Sequence, residues 1–139
     1  MRSIARTLLL IVVATMASGC DDSTTPTTPT PPVMVTETFE GTLTINGGLT
    51  HSFTTQAAGN VTATLTTLAV ESGVTVGLSL GIFTPSTNTC QIIVDNGAVV
   101  QATRVTGSVS SSGNYCVRIY DAAGRLTAAA DYTITLEHP

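Results

Sequence analysis

The segment Gly77–Gly81, Gly-Leu-Ser-Leu-Gly, has the residue types and spacing of a nucleophile elbow, Gly-x-Ser-x-Gly. That motif needs a strand, a strained turn and a helix, which together expose the serine hydroxyl to a general base. Here an alternating apolar pattern predicts one continuous strand, with Ser79 on the face opposite Leu78 and Leu80. The downstream histidine, His138, is next to the last residue, and we expect it to be held too loosely to act as a base. A hydrolase that uses Ser79 is therefore a remote hypothesis, and no catalytic residue is predicted.

The residues that could bind a metal ion are scattered along the chain. His51 has no Cys, Asp or His at ligand spacing, so we interpret it as a structural or surface residue. The acids of the region after residue 34 do not form a calcium-loop motif; they are Glu37, Glu40, Glu71, Asp95, Asp121, Asp131 and Glu137. Asp95 and Asp121 stand near glycines, where turn formation explains them. No metal and no cofactor is predicted, although the pattern leaves open a calcium site built from loop carbonyls.

Cys90 and Cys116 are the two cysteines of the strand-rich region, each near the start of a predicted strand. In an exported protein such a pair is most often a disulfide. A metal pair or a redox dithiol would need a Cys-x-x-Cys motif or a histidine nearby in sequence, and neither is present. We therefore predict a structural Cys90–Cys116 disulfide.

The start of the chain has the layout of a secretory signal. Arg2 and Arg6 precede an unbroken apolar run, Leu8–Ala14, and small residues then lead to Cys20. The apolar run is about half of the roughly 20 residues that a transmembrane helix needs. We therefore predict that residues 1–19 are a signal peptide rather than a membrane span.

The residues before Cys20 resemble the lipobox of bacterial lipoproteins, in which small residues precede a lipid-modified cysteine. Ser18 and Gly19 fit that pattern, whereas Ala17 departs from the usual leucine. The resemblance implies that the Cys20 thiol carries diacylglycerol and that its freed amine is acylated, which would anchor the protein stably. It also implies the bacterial cell envelope, with the outer membrane or the cell surface as the expected location. The alternative is an ordinary cleaved signal that leaves Cys20 as a free or disulfide-bonded thiol.

Residues 20–34 are predicted to comprise the lipidated cysteine and a Thr/Pro-rich tether. The stretch has almost no apolar side chains before residue 33, and its prolines favour extended polyproline geometry. Residues 21–32, the Thr/Pro stretch proper, reach about 3 Å per residue, or about 35 Å in all. The threonines also permit O-glycosylation, but a simple stalk is the preferred interpretation.

The charge balance excludes nucleic acid as a partner. The chain has no lysine and, after the signal peptide, keeps three arginines, Arg104, Arg118 and Arg125, against nine acidic residues. This balance provides neither the basic surface that binds nucleic acid nor a polybasic patch for anionic lipid. The aromatic residues are few, so the core must depend on Val, Ile, Leu and Ala.

Residues 35–139 have the pattern of an all-β domain. Apolar and polar residues alternate with period two, and turn residues follow at regular intervals. The pattern predicts about eight short strands, near residues 38–45, 50–56, 61–66, 75–82, 90–94, 98–105, 115–120 and 132–137. Asp95-Asn96-Gly97 is interpreted as a turn and 121–130 as a loop. The predicted fold is a single antiparallel β-sandwich of the jelly-roll kind.

Several short motifs resemble the bacterial pre-peptidase C-terminal domain, a jelly-roll sandwich appended to many secreted enzymes. They are Gly41-Thr42-Leu43, His51-Ser52-Phe53, the strand from Val76 to Pro85, the Gly-x-Tyr strand Gly113–Ile119, and Asp131–Ile134. The resemblance covers most of residues 36–137. It implies a non-catalytic accessory module, which we expect here as a free-standing, lipid-anchored copy.

The chain departs from that family before the middle strand, where acidic residues are common and Thr75 and Gly77 stand instead. The leading hypothesis is a non-enzymatic, lipid-anchored cell-envelope protein that displays a binding or interaction module. An envelope protein or a glycan is the expected partner, besides the membrane itself. Tyr120 is the one evident outward-facing ring, and this scarcity of exposed aromatic residues argues weakly against a sugar-stacking platform. The alternative is a structural accessory subunit of a larger envelope complex.

Overall fold

The computed structural model describes residues 30–139, which form eight antiparallel β-strands in two four-stranded sheets. The strands are β1 (Val35–Leu43), β2 (Gly48–Thr55), β3 (Gly59–Leu68), β4 (Val76–Thr84), β5 (Thr89–Val99), β6 (Arg104–Val109), β7 (Gly113–Tyr120) and β8 (Ala130–His138). The predicted all-β sandwich is therefore confirmed.

The strand order is that of a jelly roll. Sheet I has the order β1-β8-β3-β6, and sheet II has the order β2-β7-β4-β5. The antiparallel pairs are nested in sequence: β4 with β5, β3 with β6, β2 with β7 and β1 with β8. The chain is thus one long hairpin, centred on residues 85–88, that is wound into two packed sheets.

The core lies between the sheets and consists mainly of aliphatic residues, as the composition predicts. Period-two alternation places Val61, Ala63 and Leu65 of β3 inside, while the threonines between them face outward. On β8 the same alternation buries Tyr132, Ile134 and Leu136. β-branched residues suit such half-buried strands, which explains why threonine and valine dominate the domain.

The predicted turn at residues 95–97 is wrong, because β5 continues through it to Val99. The β4–β5 register shifts between Val76↔Val99 and Leu78↔Asn96, so the strand takes up one extra residue as a β-bulge. The chain reverses instead at residues 100–103, where Ala102 has φ of 68° and the Thr103 N–H donates to the Val100 carbonyl. The predicted strand 98–105 is accordingly divided between β5 and β6.

The two ends of the sandwich differ in what they carry. The chain enters β1 and leaves β8 at one end, here called the entry end, where the Gln56 N–H donates to the Pro139 carbonyl at 3.0 Å. Loops 56–58, 85–88 and 110–112 lie at that end. Loops 44–47, 69–75, 100–103 and 121–129 lie at the opposite end, here called the distal end. Within residues 30–139 no helix is long and apolar enough to cross a membrane.

Candidate functional site

Ser79 lies in the middle of β4, where its hydroxyl is inaccessible. Its exposed fraction is 0%, and its Oγ donates a long hydrogen bond of 3.5 Å to the Arg118 carbonyl of the neighbouring strand. The segment Gly77–Gly81 is extended throughout, without the turn and helix of a nucleophile elbow. Ser79 is on the outer face of sheet II, whereas His51 and His138 point between the sheets. The structure does not bring a histidine to this serine.

The first glycine of the segment makes room for an aromatic ring. The side chain of Tyr120, on β7, lies across β4 so closely that a Cβ at Gly77 would overlap its ring. The phenol hydroxyl donates to Asp95 on β5, with distances of 2.7 and 2.9 Å to the two carboxylate oxygens. Tyr120 and Asp95 therefore connect the two strands that flank β4, an arrangement we call the phenol bridge.

The second glycine lies beside the predicted disulfide, which is confirmed. Cys116 of β7 and Cys90 of β5 are bonded, with their Cα atoms 5.9 Å apart, and they too connect the two strands that flank β4. Gly81 is the register partner of Cys116 on β4, and a Cβ there would overlap the Gln91 carbonyl of β5. We call this arrangement the covalent bridge.

The Gly-x-Ser-x-Gly segment is thus explained by packing. Its three outward positions are buried because two bridges and the adjacent backbone cover them, and only small residues fit on a strand that is covered in this way.

The environment that covers β4 also shifts the pKa of Tyr120. Burial raises the Tyr120 pKa most, and the hydrogen bond to Asp95 and the charge of that carboxylate raise it further. The positive charge of Arg118 offsets part of this rise. The Arg118 guanidinium stands 5.2 Å from the ring centre, so this ring is not a free stacking platform.

The histidine of β2 is an interior residue rather than a ligand. His51 Nε2 is 2.7 Å from the Tyr132 hydroxyl, and the imidazole stacks on Phe39 with ring centres 4.8 Å apart. Burial lowers the His51 pKa and raises the Tyr132 pKa, because each charged form would lose hydration.

The expectation that His138 is loosely held is wrong. It is 2% exposed, because β8 extends to the end of the domain and the adjacent Pro139 carbonyl is fixed by Gln56. His138 Nε2 is 3.0 Å from a Glu37 carboxylate oxygen, and its ring lies 5.1 Å from that of Phe53. Both histidines therefore fill the interior on the side of the edge strands β1 and β2. Among residues 30–139 no group of three potential metal ligands comes together.

The distal loops are held together by Asp121. Its carboxylate accepts hydrogen bonds from the N–H groups of Asn46, Arg125 and Leu126 at 3.0, 2.8 and 3.4 Å. Burial acts to raise the Asp121 pKa, but the backbone hydrogen bonds outweigh it and hold that pKa below its ordinary value. The side chain of Arg125 then reaches Thr75 at 2.7 Å and connects loop 121–129 to loop 69–75. The turn predicted at Asp121 is present, and the residue also joins loop 121–129 to loop 44–47.

Between those two loops lies a depression of about 420 Å³. Its lining combines small or aliphatic residues with one acid, Glu71. The lining residues are Ala69, Val70, Glu71, Val74, Leu126, Thr127, Ala128 and Ala129. Arg125 joins the two walls of the depression, and Asp121 fixes one of them by hydrogen bonds within loop 121–129. This depression is therefore the candidate binding site of the distal end. It is formed by loop residues that no sequence pattern singles out.

A second concave surface lies at the open side of the sandwich, between β5 and β6. This groove, here called the β5/β6 groove, has a volume of about 170 Å³ and an apolar lining that includes Phe53, Leu80, Ile82, Val94 and Val109. Ile93, the extra residue of a bulge in β5, stands at its rim.

The predicted lipid attachment residue, Cys20, lies outside the described residues, as do the predicted signal peptide and most of the predicted tether. Comparison with known proteins gives no family: no protein-family model matches the chain, and no curated protein matches it.

Proposed function

We propose that this protein is a lipid-anchored cell-envelope protein that displays a β-sandwich binding module away from the membrane. The lipid is attached to Cys20, and the Thr/Pro tether connects it to the entry end of the sandwich. The partner is an envelope protein or a glycan, and the site that receives it is the distal depression.

The observation that carries the proposal is the separation of the two ends. The chain reaches β1 at Val35, on the same end as Pro139, and the four loops of the distal end lie at the other extreme of the strands. Strands of 8 to 10 residues rise about 3.3 Å per residue, so these ends are about 25–30 Å apart. An anchor that precedes β1 would therefore direct the distal loops outward.

The hydrogen bonds that join the distal loops support a role in recognition. Loops that bind ligands are most effective when a scaffold fixes them, since less conformational entropy is lost on binding. Here one carboxylate connects loops 44–47 and 121–129, and Arg125 adds loop 69–75.

Two exposed alanines provide a matched test of this proposal. Ala128 lines the distal depression, whereas Ala58 is exposed in a loop at the entry end. We expect Ala128→Arg to abolish binding in glycan arrays and in affinity capture of envelope proteins, while Ala58→Arg leaves binding unchanged. Binding that survives in Ala128→Arg, or is lost equally in both variants, would contradict the distal site. A wild-type protein that binds nothing in either assay would contradict the display role itself.

The β5/β6 groove favours a second candidate function, that of a structural accessory subunit in a larger envelope complex. Exposed apolar surface on an otherwise polar domain is typical of protein–protein contacts. Crosslinking in intact cells separates the two candidates, because a structural subunit should give one dominant partner in fixed stoichiometry. Loss of that partner in Ile93→Asp, with no effect of Ala128→Arg, would favour the structural role.

A further inference from the structure

The β5/β6 groove has a lining without charge. None of its twelve lining residues is acidic or basic, and core residues such as Leu80 and Phe53 are reached through it. Ile82 and Ile93 at its margin are 44% and 62% exposed. An occupant must therefore be uncharged and apolar, since a charged group would lose hydration there without a partner.

The same chain exposes an apolar segment of matching character, Val33–Val35, at the start of β1. Val33 and Met34 are 83% and 54% exposed, and Val35 is exposed as well. They lie where the tether joins the domain, after the last proline of the tether, Pro32, and before the first acid of the domain, Glu37. The segment leads into the edge strand β1 of sheet I, whereas the groove lies at the opposite edge, beside β6.

The register puts the segment and the groove at the same height. Thr36 pairs with Glu137, Glu137 with Thr62, and Thr62 with Thr106, so these four residues form one row across sheet I. Val35, Met34 and Val33 continue from that row toward the entry end. Gly107, Ser108 and Val109, which line the groove, continue from it in the same direction.

Strand direction permits two copies to meet side by side with their entry ends level. In sheet I each neighbouring pair is antiparallel, so β1 and β6 run in opposite directions. When two copies stand in the same orientation, β1 of one is antiparallel to β6 of the other. Exposed edge strands are ready to pair in this way.

We propose that the β5/β6 groove binds the Val33–Val35 segment of a second copy of this protein. The common orientation of the copies rests on the proposed lipid anchor, which holds all entry ends at the membrane. Because the two complementary surfaces lie on opposite edges, the contact is head-to-tail, and it builds rows of anchored copies rather than a closed dimer.

Site-specific photocrosslinking in cells tests the contact. Full-length protein carries benzoylphenylalanine at position 93, and we expect a dimer whose linked peptide contains Val33 or Met34. Val33→Ser/Met34→Ser should remove this dimer, while the matched distal variant Ile45→Ser/Leu49→Ser should leave it unchanged. The same probe at position 45 serves as the positional control. No dimer, an equal dimer from position 45, or a link to a different protein would overturn the proposal.

A mixing experiment tests the head-to-tail geometry. Purified full-length Ile93→Asp keeps its segment and lacks a groove, and Val33→Ser/Met34→Ser keeps its groove and lacks a segment. Native mass spectrometry should show each variant as a monomer and their mixture as a one-to-one heterodimer with nothing larger. A mixture that stays monomeric would contradict the proposal. The same spectra give the mass of any lipid on Cys20, so failure of the anchor is distinguished from failure of the contact.

Discussion

Two bridges cross the same strand on the same face of sheet II, and they differ in chemistry. The covalent bridge lies toward the entry end and the phenol bridge toward the distal end, and both connect β7 to β5 over β4. β5 is an edge strand with β4 as its neighbour in the sheet, so each bridge gives it a second attachment. The disulfide acts mainly by restricting the unfolded chain, whereas the phenol bridge depends on packing and protonation in the folded state.

Removal of the covalent bridge is expected to have the largest effect. Cys90→Ala/Cys116→Ala opens a loop with a sequence separation of 26, which should lower the free energy of unfolding by about 3–4 kcal/mol on the chain-entropy model. Urea denaturation measures this loss. Wild type under reducing conditions is the control and should match the variant. A loss below about 1 kcal/mol would show that the phenol bridge and the β4–β5 ladder suffice.

Displacement of the phenol bridge by Gly77→Ala should come next. The new Cβ would overlap the Tyr120 ring, and overpacking of this kind costs about 1–3 kcal/mol. Gly97→Ala is the matched control, because a Cβ there would be 3.8 Å from the Tyr120 hydroxyl, an ordinary contact. In a Tyr120→Ala background Gly77→Ala should lower the free energy of unfolding by less, since the new Cβ no longer meets the Tyr120 ring. Equal losses in Gly77→Ala and Gly97→Ala would contradict this packing role.

These two bridges also show what sequence can predict. The prediction that Cys90 and Cys116 pair follows from the expectation of export, since cysteines of exported proteins are most often disulfide-bonded. The alternation of Val76, Leu78 and Leu80 places β4 correctly. Tyr120 and Asp95 are 25 residues apart and join across an intervening strand, so no local pattern marks them. The Asn96-Gly97 pair indicates a turn in the sequence pattern. In the fold β5 continues through these residues, because it pairs with β4 and accommodates the extra residue as a bulge.

The distal and histidine sites were harder still to predict. Asp121 near a loop glycine correctly indicates a turn, yet its contact with Asn46 depends on the pairing of β2 with β7, which sets Gly48 opposite Tyr120. His138 appeared loose because it is near the last residue, whereas the nested topology buries the end of β8 against Glu37 and Phe53. Such contacts follow from strand order, which the residue pattern does not specify.

Alkaline pH should break the phenol bridge and spare the covalent one. Because the Tyr120 pKa is raised in the folded state, the bridge contributes fully below the unfolded tyrosine pKa of about 10 and is lost as the pH rises through the folded value. Tyr120→Phe should lower the free energy of unfolding by about 1 kcal/mol or less at neutral pH. The variant should no longer lose stability as the pH rises through the tyrosine range. Titration of the tyrosines, followed by absorbance, measures the Tyr120 pKa directly. Asp95→Asn should bring the pKa of that one tyrosine back toward its ordinary value. An unchanged titration would contradict the bridge.

The smallest effect is expected at Ser79, between the two bridges. Ser79→Ala removes one long hydrogen bond and should lower the free energy of unfolding by less than about 1 kcal/mol. Any esterase activity of the purified protein should be the same in wild type and variant. Loss of such an activity in Ser79→Ala, with stability retained, would revive the hydrolase hypothesis.

The most direct test of the display role is the intact mass of the protein extracted from membranes, with and without reduction. We predict a chain of residues 20–139 that carries diacylglycerol and an acyl group, and whose mass rises by two hydrogens on reduction. An unlipidated mass, or a chain that begins at another residue, would contradict the anchor at Cys20 and with it the outward orientation of the distal loops.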